Sequence, residues 1–256
     1  MEAQSLDHRS EQTVTERTKP DLSVENGAAE DMNRDPDAPA EGHEPPAPPL
    51  LSPLVVLVLV LCSGVELILI AADWGLIGNT PWRSLAYQNG AFWAGLLYNW
   101  RPNYEGQSVL MFVTYAFLHS GFWHLAGNML TLVFLGDIVV RRIGQGGFGF
   151  VYLISTLGGG TAFGLITTST SPMVGASGAL FGLAGAWQYW EWSDLRDQGL
   201  SGWPVWRTVF ALVVLNVILW FVNGGYLAWE THLGGFLAGW IAAVGLARMR
   251  GRFGVG

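Results

Sequence analysis

Gly175-Ala176-Ser177-Gly178-Ala179-Leu180-Phe181-Gly182 opens an apolar segment, 175–192, that is one of six in this chain. The others run approximately 51–72, 122–140, 147–168, 206–222 and 228–247. Each approaches the ~20 residues a helix needs to cross the hydrocarbon core of a bilayer. The segment containing Ser177 is the least hydrophobic of them. Six such spans predict an all-α, polytopic membrane protein. Within it, Ser177 and His232 stand near the starts of two spans. Hydroxyl and imidazole groups are costly to desolvate, so a pair inside a membrane is read first as a functional site.

Composition agrees. Of 256 residues, 50% are hydrophobic and 13% charged, against roughly 25% charged in soluble domains. The 34 glycines and 13 tryptophans suit close helix packing and the membrane–water interface, respectively. The single cysteine, Cys62, leaves no internal disulfide and is expected as a small core residue. The net charge of −7 is local. Residues 1–50 hold 12 acidic and 4 basic side chains, and the rest of the chain 8 and 9. That first segment is rich in Pro and Ala and has no aromatic residue. It cannot bury enough apolar surface to offset chain entropy, so it is expected to be a disordered acidic tail. Nothing forms a basic patch for nucleic acid.

The expected organisation is thus a cytoplasmic tail (1–50), a membrane domain (51–247) and a short basic cytoplasmic tail (248–256). The connection 73–121 contains Trp74, Trp82, Trp93, Trp100, Tyr87, Tyr98 and Tyr104 and is expected to lie in the interface as a long loop. With the N-terminus inside, Arg141, Arg142, Arg196, Arg207, Arg248, Arg250 and Arg252 fall on the cytoplasmic side, and only Arg83 and Arg101 outside. The positive-inside bias favours both termini in the cytoplasm. Spans two, four and six then start from the same outer side.

That shared orientation brings the polar residues to one depth. Ser177 lies five residues after Pro172, and His232 shortly after Gly224-Gly225-Tyr226, so at ~1.5 Å per residue both sit roughly 5–10 Å below the outer helix ends. Gly178, Gly182 and Gly185 on span four, with Gly235 and Gly239 on span six, allow the two backbones to approach closely. On span two, His124 and Asn128 are four apart and share a face. A hydrolase needs donors for the oxyanion formed when serine attacks a carbonyl. His124, the Asn128 amide and the Ser177 backbone N–H are candidates. A zinc site is disfavoured because no HExxH is present and no cysteine or suitable acid joins His119, His124 and His232.

The set H-x-x-x-N on span two, G-x-S-G at span four and H-x-x-G on span six resembles the rhomboid family of intramembrane serine proteases. His119-Ser120-Gly121-Phe122-Trp123-His124 and the Ser177 stretch carry the likeness, which covers roughly 51–247. The resemblance implies a six-helix rhomboid-like bundle with a long interfacial loop between helices 1 and 2. It implies Ser177 as nucleophile and His232 as general base, a dyad with no acid partner, with His124 and Asn128 as oxyanion donors. It also implies Phe181 packed on the catalytic imidazole and His119 steadying the loop before span two. Gly175, Gly178, Gly182 and Gly235 are expected to pack helices near the site. Two positions depart: Leu110-Met111 stands where the family often has a Trp-Arg pair, and Thr231 where it often has Ala. Glu66, inside span one, is expected to be a protonated or paired anchor.

The expected activity is cleavage of other proteins' transmembrane segments, favoured at helix-weakening residues, without metal or cofactor. The alternatives are a non-catalytic rhomboid-like protein that binds membrane helices, and a small transporter using the histidines. The expected partners are transmembrane substrates and the lipid bilayer, and the expected location is a bacterial cell membrane.

Overall fold

Pro53 occupies the first turn of helix α1 (Pro53–Asp73), where its missing N–H costs nothing. The helix ends at Trp74 and Gly75, the latter at φ +69. Its buried residues are Val55, Val58, Cys62, Glu66 and Leu69, one stripe spaced by three or four. The other face carries exposed Val60, Leu67 and Ile68. The structure, a computed structural model, describes residues 51–78 and 81–253; the expected tail 1–50 lies outside the described residues.

The connection to the next span is built from helix α2 (Trp82–Gly90), a 3₁₀ turn (Ala94–Leu97), helix α3 (Gln107–Thr114) and a second 3₁₀ turn (Tyr115–Phe117). It is therefore more ordered than an irregular interfacial loop. Ala91, Phe92, Met111 and Tyr115 within it are buried. Phe92 stacks edge-on against Phe112, Tyr115 and Phe163. The apolar patch Val109–Leu118 does not extend the following span, because Leu118 turns extended and Gly121 sits at φ +108.

Helix α4 (Phe122–Ile166) is 45 residues long and broken at Gly144, whose φ of +75 and ψ of 174 are non-helical. The chain doubles back there. A Cβ on Gly136 would lie 3.5 Å from Phe148, although twelve residues of straight helix would separate them by ~18 Å. The two arms of α4 correspond to spans two and three. Helix α5 (Ser177–Asp197), helix α6 (Trp203–Val222) and helix α7 (Trp229–Phe253) follow. The basic stretch 248–253 continues α7 instead of starting a separate tail.

Four of these helices are long and apolar enough to cross a membrane: α1, α4, α6 and α7 through Met249. α4 supplies two crossings by folding on itself. α5 falls short on apolarity for a physical reason. Its buried residues include Gly178, Ala179, Gly182, Ala184, Gly185 and Ala186, small side chains enclosed by α4 and α7, so little of its surface has to match lipid. α6 is the opposite case. Apart from Val205 its residues are not buried, and an all-round apolar helix of this kind faces lipid. Exposed Trp74, Trp123, Trp203, Trp206 and Trp229 mark helix ends, where indole rings favour the interface. Among the described residues the sole β feature is the bridge Phe92–Met173.

Candidate active site

Close approach of α5 and α7 creates the site. A Cβ added to Gly235 would overlap the Gly178 carbonyl oxygen, and one on Gly239 the Gly182 carbonyl oxygen. Gly182 is equally confined, by Ser155 and the Gly235 carbonyl. Backbone thus packs on backbone, and the side chains at the helix starts meet. His232 Nε2 lies 2.8 Å from Ser177 Oγ. The imidazole is only 5% exposed, and Phe181 lies on its face with ring centroids 4.2 Å apart and planes 9° from parallel.

The other imidazole nitrogen is also held. His232 Nδ1 is 2.6 Å from Asn216 Oδ1 on α6, so the pair has a third, uncharged member. Sequence reasoning missed Asn216 as a site residue. The signal was a lone amide in the otherwise apolar run Val209–Val222, where polar side chains are expected to bond across helices.

The N-terminal arm of α4 brings His124 and Asn128 to the same place. A Cβ on Gly175 would lie 2.8 Å from His124 Nε2 and 3.6 Å from Asn128 Nδ2. Gly175 precedes α5 at φ +123, so it is not a helix-packing glycine. It forms the bare wall that lets two side-chain donors approach the serine turn. Its N–H donates to the Tyr115 carbonyl at 3.0 Å, and the Tyr115 hydroxyl donates to the Thr156 carbonyl at 2.8 Å. Tyr115 in the connection thereby anchors the turn before Ser177 to the C-terminal arm of α4. Phe92 and Met173 exchange backbone hydrogen bonds of 2.9 Å alongside.

Donor directions follow from the partners. The Ser120 backbone N–H donates to His124 Nδ1 at 3.3 Å, with the Ser120 hydroxyl 2.9 Å from the same nitrogen. A backbone N–H can only donate, so Nδ1 accepts and the proton of the neutral ring is on Nε2, facing Gly175. Asn128 is 7% exposed, and its Nδ2 has no partner among the described residues. Ser177 opens α5, so its N–H is one of the helix's orphan donors, at the positive end of the helix dipole. His124 Nε2 and Asn128 Nδ2 thus lie beside Gly175, two residues before Ser177, whose own N–H at the helix start is a third available donor.

His119 supports this geometry from outside. Its ring packs edge-on to His124 with centroids 5.2 Å apart. Its carbonyl accepts from Arg83 Nη1 at 2.9 Å and from the Tyr87 hydroxyl at 2.7 Å. Arg83 also reaches both carboxylate oxygens of buried Glu66, at 2.9 and 3.1 Å, and Asp73 at 2.6 Å. Glu66 is thus a paired anchor tying α1 to the connection.

The fold is a multi-span helical bundle that holds a serine–histidine pair between two of its helices. Residues 106–249 match the Rhomboid domain, and the chain belongs to the rhomboid family. It is 33% identical over 133 residues to RHOMBOID-like protein 1 of Arabidopsis thaliana, covering 50% of this chain and 32% of that protein. It is 32% identical over 144 residues to Rhomboid-type serine protease 2 of Emericella nidulans, covering 54% and 27%. Rhomboid protease GluP of Bacillus subtilis is 33% identical over 138 residues, covering 50% and 24%. The matches span less than half the length of these curated relatives.

Proposed function

We propose that this protein is an intramembrane serine endopeptidase. The observation that carries the reading is the 2.8 Å Ser177–His232 contact, with the His124 and Asn128 side chains beside Gly175 two residues away. His232 Nε2 takes the Ser177 proton as Oγ bonds to a peptide carbonyl carbon, and the oxyanion is met by the three donors. His232 returns that proton to the leaving amine as the C–N bond breaks, giving an acyl-enzyme. Water, deprotonated by the same imidazole, then releases the second product. Two relatives named as proteases support the reading.

The substrates of this proposal are transmembrane segments of other proteins. A helix in lipid has its backbone fully hydrogen-bonded, so Gly or Pro near the scissile bond favours cleavage by easing unwinding. The same proposal includes a bacterial cell membrane as the location, with both termini on its cytoplasmic side; the arginine distribution supports that orientation.

The test is cleavage of a fluorescent transmembrane peptide by the detergent-solubilised protein, beside Ser177→Ala and His232→Ala. Cleavage by wild type and its loss in both variants is expected. A folded wild type inert toward several helix-weakened substrates would overturn the proposal in favour of a helix-binding protein.

A further inference from the structure

The geometry points to Asn216 as a positioning residue that sets the tautomer of His232 through a Ser177–His232–Asn216 hydrogen-bonded chain; this rests on the proteolytic reading above. The argument runs outward from a backbone carbonyl. Asn216 Nδ2 donates to the Leu212 carbonyl one turn earlier, at 3.2 Å. Turning the amide over would set Oδ1 against that carbonyl, two acceptors face to face. The amide orientation is therefore fixed by its own helix. Oδ1, which can only accept, faces His232 Nδ1 at 2.6 Å, so Nδ1 carries the proton of the neutral imidazole. The Nε2 lone pair then points at Ser177 Oγ, 2.8 Å away. That is the tautomer a general base requires.

The opposite tautomer would leave Nε2–H facing a hydroxyl that must itself give up a proton. Stacking on Phe181 fixes the plane of the ring but not which nitrogen is protonated. Ser177 does not decide it either, because a hydroxyl can donate or accept. Asn216 is the one contact of this imidazole, among the described residues, that selects the tautomer. Its location adds a mechanical consequence. Between α6 and α7 lies an apolar groove of about 600 Å³, lined by Phe181, Leu212, Val213, His232 and Phe236 besides Asn216. The Asn216–His232 bond spans it, so the readiness of His232 depends on where α6 stands.

Two readouts test this on the full chain in detergent micelles. The first is the ¹⁵N spectrum of histidine-labelled protein, with the His232 signals assigned by their loss in His232→Gln. Wild type is expected to show a neutral ring protonated at Nδ1, and Asn216→Leu a population protonated at Nε2. The second is peptide cleavage. Asn216→Leu, close to isosteric, is expected to lower kcat by about ten- to a hundredfold with KM unchanged within about twofold. Asn216→Asp, which keeps an acceptor, is expected to restore most of it. A wild-type ring protonated mainly at Nε2 would overturn the proposal, as would wild-type kcat in a folded Asn216→Leu. The wild-type spectrum needs no variant to fold and no substrate to be cleaved. If wild type cleaves nothing yet shows the Nδ1–H tautomer, lost in Asn216→Leu, the proteolytic reading falls and the positioning of His232 by Asn216 stands.

Discussion

Gly175 is held at φ +123 with the His124 imidazole where a Cβ would go. Gly175→Ala is therefore both strained and obstructive. Its expected effect is loss of cleavage, with Ser177 still reactive toward a small fluorophosphonate; unaltered peptide cleavage would refute the obstruction. Removing either side-chain donor, by His124→Ala or Asn128→Ala, is expected to lower kcat by about a hundred- to a thousandfold, the usual cost of an oxyanion donor. His119 makes a different prediction. Burial, with the nearby His124 ring, holds its pKa down to about 3, against about 6.5 unfolded. Between those values the unfolded chain binds a proton that the folded one refuses, so stability falls as pH drops through that window. Thermal melts from pH 7 to 4 should show this loss, and His119→Gln should flatten it. Ser177, His232, His124 and Asn128 were legible as candidates because polar groups stand out in apolar spans. The tautomers were not, since they depend on Ser120, Leu212 and Asn216 as neighbours in space.

At the scale of elements, two devices hold the site. One is the bare contact of α5 on α7. Gly235→Ala would drive a methyl into the Gly178 carbonyl, a backbone atom that cannot swing aside, and overpacking of this kind costs about 1–3 kcal/mol. Gly127→Ala is the control: nothing lies within 4 Å of its Cβ position, and alanine is the better helix former by roughly 0.5–1 kcal/mol. Unfolding in graded SDS should move in opposite directions for the two. The second device is Arg83, which joins α2 to Glu66 and Asp73 of α1 and to the His119 carbonyl. Arg83→Ala leaves the fully buried Glu66 carboxylate without its cation and is expected to destabilise by about 3–5 kcal/mol. A change below about 1 kcal/mol in the same assay would show the pair to be replaceable. The glycine spacing on spans four and six was readable in advance. The order within 73–121 was not, because Phe92, Met111 and Tyr115 share their core with Phe163 and Met173, far along the chain.

For the whole molecule, six helical crossings leave the two ends of the membrane domain on one side, which the proposal above takes to be the cytoplasm from the arginine bias. Reporter fusions after Gly256 are expected to be active for a cytoplasmic fluorescent protein and silent for a periplasmic phosphatase; the reverse would overturn the proposed orientation. Two ion pairs, Asp137–Arg141 at 2.8 Å and Arg142–Asp194 at 2.6 Å, involve residues near the Gly144 break and the end of α5. The sequence by itself determined that this is an all-helical, multi-span membrane protein of rhomboid type, and which serine and histidine to watch. Hydrophobic length, charge asymmetry and motif spacing are properties of the chain and need no coordinates. Only the tertiary structure decided that α5 is sealed between α4 and α7, and that Gly175 is a wall of the donor site instead of a helix contact. It alone brought in Asn216. Those facts depend on distances between segments 16 to 60 residues apart, which close packing sets and local pattern does not encode.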